Sequence, residues 1–136
     1  MSRTLRQRRG LVGETAAAEH LERQGWSVLA RNVFVPSGNG RDVRRDEIDL
    51  LCFDPGPPPA VVAVEVRSAR SSAFGAPEER VDGRKVSRLY RALSALDDAV
   101  VRSAGLGALP RRVDLLIVDR RTGRYEVRHL RGLTPR

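Results

Sequence analysis

Two aliphatic runs joined by a short connection constrain the fold of this chain more than any other feature of its sequence. Residues 47–53 and 60–67 are rich in β-forming residues, and the sequence DPGPPP separates them. Because so short a connection leaves no room for a crossover helix, we predict two neighbouring antiparallel strands. Each run nevertheless carries acid among its aliphatic residues, with Glu47 and Asp49 in the first and Glu65 in the second. The hairpin must therefore accommodate carboxylates within a sheet.

The alternation of side chains along a strand predicts how these carboxylates lie relative to one another. If the hairpin folds about Pro57, Asp49 lies across from Glu65, and Glu47 lies across from Arg67. Asp49 and Glu65 would then meet on one face of a half-buried sheet. The opposite face of the first strand would carry Ile48, Leu50 and Cys52.

Two carboxylates this close together require a positive charge beside them. Like charges repel and raise each other's pKa unless a cation lies between them. Hard divalent cations such as Mg²⁺ prefer oxygen ligands of this kind, and they can polarise a phosphodiester and activate water. The alternative is structural. Acids in strands often form the solvent face of an amphipathic sheet, and Glu47 and Arg67 could form a cross-strand ion pair.

A third acid lies in the first predicted helix. Residues 6–25 have helical spacing, with Gly25 as a stop, and Glu14 falls in the middle of an apolar stripe. A lone acid there is unfavourable without a partner. A site on the sheet beneath the helix would supply that partner, so one cation would account for Glu14, Asp49 and Glu65 together. The rest of the stripe consists of Leu11, Ala17, Ala18 and Leu21.

The remaining pattern predicts an α/β domain. The first helix is followed by three strands, a long helix that Asp82 caps, and two more strands, which indicates helices packed on a mixed sheet. At 136 residues the chain has the length of one compact domain. We expect a flexible N-terminus, a mobile loop near residues 36–45 and a short C-terminal tail. The other predicted elements are strands at 26–35, 111–119 and 124–130, an irregular link at 71–80, and a helix at 83–103.

Composition indicates an anionic partner and excludes several kinds of site. The 25 Lys and Arg against 17 Asp and Glu give a net charge of +8, which favours nucleic acid, although a biased genome could also produce it. The single cysteine excludes an intrachain disulfide and a cysteine-based zinc site. No apolar run is long enough to cross a membrane, so we expect a cytoplasmic protein. Candidate phosphate contacts are the arginine clusters Arg6/Arg8/Arg9, Arg44/Arg45, Arg111/Arg112 and Arg120/Arg121.

An ordered set of short motifs resembles a known family. In their order and spacing the motifs resemble the YraN family, also called UPF0102, of small bacterial proteins. An acid followed by a hairpin and "VEVR" also resembles the signature of the PD-(D/E)xK nucleases, to which that family and archaeal Holliday junction resolvases are related. The matching pieces are Gly13-Glu14, Glu47-Ile48-Asp49-Leu50, Val64-Glu65-Val66-Arg67, Phe74-Gly75 and Lys85.

The resemblance implies a fold, an activity and a set of site residues. The fold would be restriction-endonuclease-like, with a five-stranded mixed sheet flanked by helices. The activity would be nuclease-like, with DNA as the partner and Mg²⁺ or Mn²⁺ as the cofactor; branched DNA as the substrate and a homodimer are further expectations. Asp49 and Glu65 would bind the metal, the backbone carbonyl of Val66 would add an oxygen, and Glu14 would be an outer ligand.

One departure from the family pattern concerns catalysis. The family places a catalytic lysine two residues after Glu65, and this chain has Arg67 there. Arginine stays protonated, so it can stabilise charge on a phosphate but cannot act as a general base. Lys85 is the candidate substitute. Two alternatives to a nuclease stay open: a non-catalytic nucleic-acid-binding module on the same fold, and a protein-interaction subunit.

Overall fold

Helices and strands account for most of the chain. The computed structural model describes residues 5–37, 44–69, 81–96, 99–121 and 123–135. The link expected at 71–80, which includes Phe74 and Gly75, lies outside these ranges. The elements are, in chain order, α1 (Leu5–Arg23), β1 (Ser27–Ser37), β2 (Arg44–Asp54), β3 (Ala60–Ala69), α2 (Gly83–Ala95), α3 (Ala99–Ser103), β4 (Arg111–Arg121) and β5 (Arg124–Leu130).

One mixed sheet organises the described residues. Its five strands lie in the order β1-β2-β3-β4-β5. Strands β3 and β4 run parallel, and the other neighbouring pairs are antiparallel. Helices α1 and α2 pack against this sheet. A five-stranded mixed sheet flanked by helices is the arrangement expected of the restriction-endonuclease-like fold, so the predicted fold class is confirmed.

Two apolar clusters join the helices to the sheet. Leu21 of α1 packs in one cluster with Leu50 of β2. Leu89 of α2 packs in the other cluster with Leu51, the next residue of the same strand. Since successive side chains of a strand point to opposite faces, a single strand contributes to both cores. Each helix is therefore held by its apolar stripe on its own face of the sheet.

Local signals in the sequence mark the end of α1 and the start of α2. Gly25 has φ +88, the left-handed conformation that commonly follows a helix, as its position predicted. The Asp82 carboxylate accepts a hydrogen bond from the N–H of Arg84 at 3.0 Å, which confirms Asp82 as the cap of α2. These two helix boundaries therefore follow from local sequence.

The single long helix predicted over residues 83–103 is wrong. Helix α2 ends at Ala95, Leu96 leaves helical geometry at ψ 86, and the separate helix α3 begins at residue 99. Asp97 and Asp98 follow Leu96 in the sequence, and aspartate has low helix propensity because its side chain competes for backbone hydrogen bonds. None of the helices within the described ranges is long and apolar enough to cross a membrane.

Residues at both ends of the loop predicted near residues 36–45 belong to strands instead. Strands β1 and β2 stay paired at Pro36 with Arg45 and at Ser37 with Arg44, so these residues belong to the hairpin. The first predicted strand therefore continues two residues further than its pattern indicated. The positions between the two strands lie outside the described ranges.

A buried polar cluster centred on Asp114 joins three strands. The fully buried Asp114 carboxylate accepts hydrogen bonds from Arg112 Nε at 2.8 Å, His129 Nε2 at 2.8 Å and the Gly132 N–H at 2.9 Å. Burial opposes ionisation, but the hydrogen bonds from His129 and Arg112 outweigh it and lower the pKa of Asp114 to about 2. Arg112 also donates to Asp54 at 2.9 Å. The cluster therefore ties β2, β4 and β5 together.

Replacing Asp114 by Asn should destabilise the protein at neutral pH by roughly 3–5 kcal/mol, because Arg112 loses its anionic partner and one of the two acceptor oxygens becomes an NH₂ group that faces donors. The folded-state pKa lies below the ordinary value of 3.8, so this stabilisation is present above that pH and is lost as the pH falls toward 2. Urea unfolding of wild type and variant should therefore converge at low pH. A gap between them that stays constant from neutral pH to acid would contradict this assignment, and Glu22→Gln on the exposed face of α1 is the control.

Candidate active site

The candidate site lies where β2 and β3 separate. Their ladder follows the register predicted by a fold about Pro57, and its last pair is Leu50 with Val64. Asp49 and Glu65 lie one position beyond that pair. The hairpin therefore brings the two acids to the point at which the strands stop pairing.

The Asp49 carboxylate takes over a backbone hydrogen bond beyond the ladder. Its Oδ2 accepts the N–H of Val66 at 2.9 Å. A buried N–H must find an acceptor, and here a side chain supplies it in place of the neighbouring strand. The expected cross-strand position of Glu47 opposite Arg67 is not part of the described ladder, because the strands have already diverged.

A local distortion of the sheet coincides with Asp49. The β1–β2 pairs on either side of Asn32 place this residue opposite Asp49. Asn32 has φ 51, in the left-handed region that few residues other than glycine and asparagine adopt. The expectation that Ile48 shares a face with Leu50 is wrong, since Ile48 packs under α2 and Leu50 under α1. Strict alternation fails because it assumes an undistorted strand at this point.

Asp49 and Glu65 form a close carboxyl pair. Their side chains lie within reach of a shared hydrogen bond, which requires a proton on one of them. Burial raises the pKa of Asp49. Burial, followed by the charge of Asp49, raises the pKa of Glu65 to about 7. Glu65 Oε2 is buried without a hydrogen-bond partner, so one oxygen of the pair is left without a donor.

Two cationic side chains lie beside the carboxyl pair and offset its negative charge only in part. Lys85, in the first turn of α2, brings its Nζ to 3.9 Å from Glu65 Oε1 and is 31% exposed. Arg67 is half-buried on β3. The charges of Lys85 and Arg67 lower the pKa of Glu65, but burial raises it by more. The helix thus does carry Lys85 to the site, a point that the sequence left open.

Glu14 approaches the same region from α1. Burial, then the charge of Asp49, raises the pKa of Glu14, while a hydrogen bond from the Asn32 side chain lowers it in part. A Cβ atom at Gly13 would come within 2.8 Å of the side-chain Oγ of Ser68, so α1 lies close to β3 at this position.

The donor set fits a hard divalent cation. Mg²⁺ and Mn²⁺ bind through one or two carboxylates together with water and carbonyl oxygens. The N–H and C=O of a strand residue point to the same neighbour, so the carbonyl of Val66 faces the gap that holds Asp49. Within the described ranges no group of three or more His, Cys, Asp or Glu side chains is placed to hold a metal. The direct protein ligands would therefore be Asp49, Glu65 and the Val66 carbonyl, with Glu14 outside them.

Sequence reasoning missed the cluster around Asp114. Like Asp49, it is an acid within an aliphatic strand, so the same signal was present in the sequence. Its partner His129 lies on another strand, and no local pattern connects the two. Arg112, predicted as a phosphate contact, instead lies against Asp54 and Asp114. The side chains of Arg6, Arg8, Arg9, Arg44, Arg120 and Arg121, from the other predicted clusters, lie outside the described residues.

Comparison with known proteins finds relatives along most of the chain. A UPF0102 protein of Paenarthrobacter aurescens (strain TC1) is 34% identical over 125 residues, which cover 91% of this chain and 91% of that protein. One of Moorella thermoacetica is 39% identical over 113 residues, which cover 83% and 82%. One of Deinococcus radiodurans is 33% identical over 121 residues, which cover 89% and 88%.

The family profile extends over the candidate site. Residues 13–118 match the profile described as "Uncharacterised protein family UPF0102". This range contains Glu14, Asp49, Glu65 and Lys85. The chain therefore belongs to the UPF0102 family, as its ordered motifs predicted.

Proposed function

We propose that this protein is a DNA endonuclease that hydrolyses a phosphodiester with Mg²⁺ or Mn²⁺ held by Asp49 and Glu65. The observation that carries the proposal is the buried, unpartnered Oε2 of Glu65 beside a second carboxylate. A buried acid in this state costs stability unless a cation completes its surroundings. Strongly perturbed acids that stability alone does not explain are typical of functional sites. Branched DNA is the substrate class to test first, because the motifs resemble a superfamily to which Holliday junction resolvases are related.

The chain itself supplies the rigidity that such a site needs. Asp49 is held by the Val66 N–H at 2.9 Å, and Glu65 projects from a strand that stays paired to β4. Ligands fixed on strands keep their geometry better than ligands on loops. A divalent cation bound there would supply Lewis-acid polarisation of the phosphodiester and activation of water.

Lys85 and Arg67 would act on the phosphate. At 3.9 Å from Glu65 Oε1, the Lys85 ammonium lies beyond hydrogen-bond distance and is 31% exposed, so it can turn to donate to a phosphate oxygen or to the attacking water. Arg67 stays protonated, so it stabilises negative charge on the pentavalent phosphate and accepts no proton. Charge stabilisation would therefore fall to both residues, and orientation of the attacking water to Lys85.

A non-catalytic nucleic-acid-binding module is the second candidate. The observation in its favour is Arg67 at the position of the family's catalytic lysine. In that case the acid pair would hold a cation and a phosphate without turnover. A protein-interaction subunit is the third candidate. DNA affinity that falls steeply with salt separates the first two from it, because phosphate contacts release counterions.

Replacing Asp49 by Asn should weaken Mn²⁺ binding by about 10–100-fold or more and abolish cleavage, because an amide oxygen carries no charge for the cation. Isothermal titration calorimetry measures the metal affinity, and gel assays with branched and linear DNA measure cleavage. Glu22→Gln, which removes one exposed carboxylate from α1, is the matched control and should leave both unchanged. Absence of Mn²⁺ binding in the wild type, or equal binding in Asp49→Asn, would show that this pair is not a metal site.

Replacing Arg67 by Lys should raise Mn²⁺-dependent cleavage by about tenfold or more, because lysine adds a compact ammonium that can exchange a proton with water. DNA affinity should change little, since the charge is retained. The matched control is Arg91→Lys, the same change on the exposed face of α2. Efficient wild-type cleavage that Arg67→Lys leaves unchanged would exclude Arg67 from the catalytic position. DNA binding without cleavage in every variant would favour the non-catalytic module.

Replacing Glu65 by Gln should stabilise the metal-free protein above neutral pH by about 1–3 kcal/mol, because the folded state no longer buries this charge. The pKa of Glu65 is raised from 4.5 to about 7, so ionisation costs no stability below the first value and its full cost above the second. Urea unfolding in EDTA at acid and alkaline pH measures the difference. If Glu65→Gln were less stable than the wild type at alkaline pH, the ion pair of Glu65 with Lys85 would outweigh the cost of burying the Glu65 charge.

A further inference from the structure

The two edges of the sheet differ in how they are built. Strand β1, at one edge, has a register shift between Val28 and Ala30. Asn32 in the same strand is left-handed, and Pro36 has no N–H to donate. Irregularities of this kind keep an edge strand from pairing with another strand. Strand β5 (Arg124–Leu130), at the other edge, pairs with β4 without a register shift and contains no proline, so it keeps the regular backbone that an added strand requires.

The outer edge of β5 is open within the described part of the chain. The sheet order ends at β5, so no described strand lies beside its outward N–H and C=O groups. An open groove of about 390 Å³ lies between α1 and β5, with Arg23 on the helix side and Tyr125 and Val127 on the strand side. Tyr125 is 44% exposed. Backbone groups and one large ring are therefore accessible to a partner at this edge.

The charges of β5 restrict which strand can pair with it. Val127 packs against the apolar cluster under α1, so the side chains at 125, 127 and 129 point toward α1, and those at 124, 126 and 128 point to the other face. The second set consists of Arg124, Glu126 and Arg128. Like charges directly opposite each other on two strands are destabilising, and opposite charges are stabilising. A strand of unrelated sequence would leave these charges unmatched, so they disfavour indiscriminate pairing.

A second copy of β5 in the reverse direction matches these charges. Antiparallel pairing with Val127 opposite Val127 sets Glu126 opposite Arg128 of the second copy, and the two-fold symmetry repeats this pair on the other side of the axis. The same register pairs all 7 residues of the strand. An axis at Glu126 or at Arg128 would instead set that residue opposite its own copy, with like charges in contact. Full overlap and charge complementarity therefore select one register.

The same register also suits the side chains that point toward α1. Tyr125 lies opposite His129 of the second copy, so the exposed ring gains a neighbour, and the two Val127 side chains meet at the axis. Because the axis is perpendicular to the sheet, α1 of both copies lies on one side of it. The groove between α1 and β5 in each copy leaves space between the two helices. Arg128 also interacts within its own chain, and five N–H donors allow its guanidinium to serve both partners.

We propose that this protein forms a symmetric dimer in which the β5 strands of two copies pair antiparallel about Val127 and join the two sheets into one. The inference goes beyond the proposed function and uses neither the metal nor DNA. The contact is only one strand wide, and small interfaces are typical of transient complexes. We therefore expect a dimer with a dissociation constant of roughly 10–100 μM.

Charge reversal tests the register directly. Glu126→Arg and Arg128→Glu each set like charges opposite each other on both sides of the axis, so each should raise the dimer dissociation constant by about tenfold or more. The double variant Glu126→Arg/Arg128→Glu restores opposite charges and should dimerise like the wild type. A mixture of the two single variants should form a heterodimer, because every charge pair across the axis is then opposite in sign. Sedimentation equilibrium at concentrations that span the expected dissociation constant measures each case.

The controls are Glu22→Arg and Arg91→Glu, the same reversals on the exposed faces of α1 and α2, and they should leave the dissociation constant unchanged. Circular dichroism checks the fold of every variant. Glu126→Arg changes an exposed residue and carries the test alone if Arg128→Glu impairs folding. Asp49→Asn should dimerise like the wild type, so this test and the test of the metal site give separate results.

Three outcomes would overturn the inference. A wild type that stays monomeric at every concentration would leave this edge to an extended segment of another protein. A wild-type dimer that Glu126→Arg does not weaken would assign the contact to another surface. Folded single variants that fail to associate when they are mixed would contradict the register.

Discussion

The cost of burying a carboxylate in a sheet governs both the stability and the chemistry of this protein. Asp114 is fully buried, and Glu65 is only 9% exposed, so the two acids face a comparable loss of hydration. Donors from Arg112, His129 and Gly132 lower the pKa of Asp114 to about 2, whereas Glu65 meets a second acid and its pKa rises to about 7. An acid within an aliphatic strand is therefore no indicator of function by itself. The indicator is an acid whose burial the fold leaves uncompensated.

The open side of the site depends on how β3 is held. Strand β3 stays paired with the parallel strand β4 as far as Ala69, which is well past the end of its ladder with β2. One edge of β3 is thus rigid while the other is free to present Glu65 and the Val66 carbonyl. Strands β1 and β2 stay paired through this region. The distortion at Asn32 and Asp49 turns the Asp49 carboxylate toward β3 without ending strand β2. The edge of β3 that pairs with β4 keeps the strand rigid, and the edge that faces β2 leaves the site accessible.

Local periodicity was sufficient for the parts of the fold that depend on neighbouring residues. The short connection around Pro57 predicted the hairpin register, and that register placed Asp49 opposite Glu65. Features that depend on distant parts of the chain were not accessible in this way. The left-handed Asn32 breaks the alternation that the prediction assumed, and the partnership of His129 with Asp114 joins two strands through side chains. No pattern within either segment carries that information.

Arg112 and Lys85, two cations among the described residues, are held in different ways, and this distinction bears on the proposed turnover. Arg112 is held by three short contacts of 2.8–2.9 Å to Asp54 and Asp114, so its charge belongs to the fold and is not available to a ligand. Lys85 lies at 3.9 Å from Glu65 and stays partly exposed, so little is lost if its ammonium turns toward a phosphate. A side chain that must change partners when substrate binds should be held only by a weak ion pair in the free protein. On the proposed function, the ammonium missing from position 67 would be supplied by Lys85 of α2, across the acid pair rather than along the same strand.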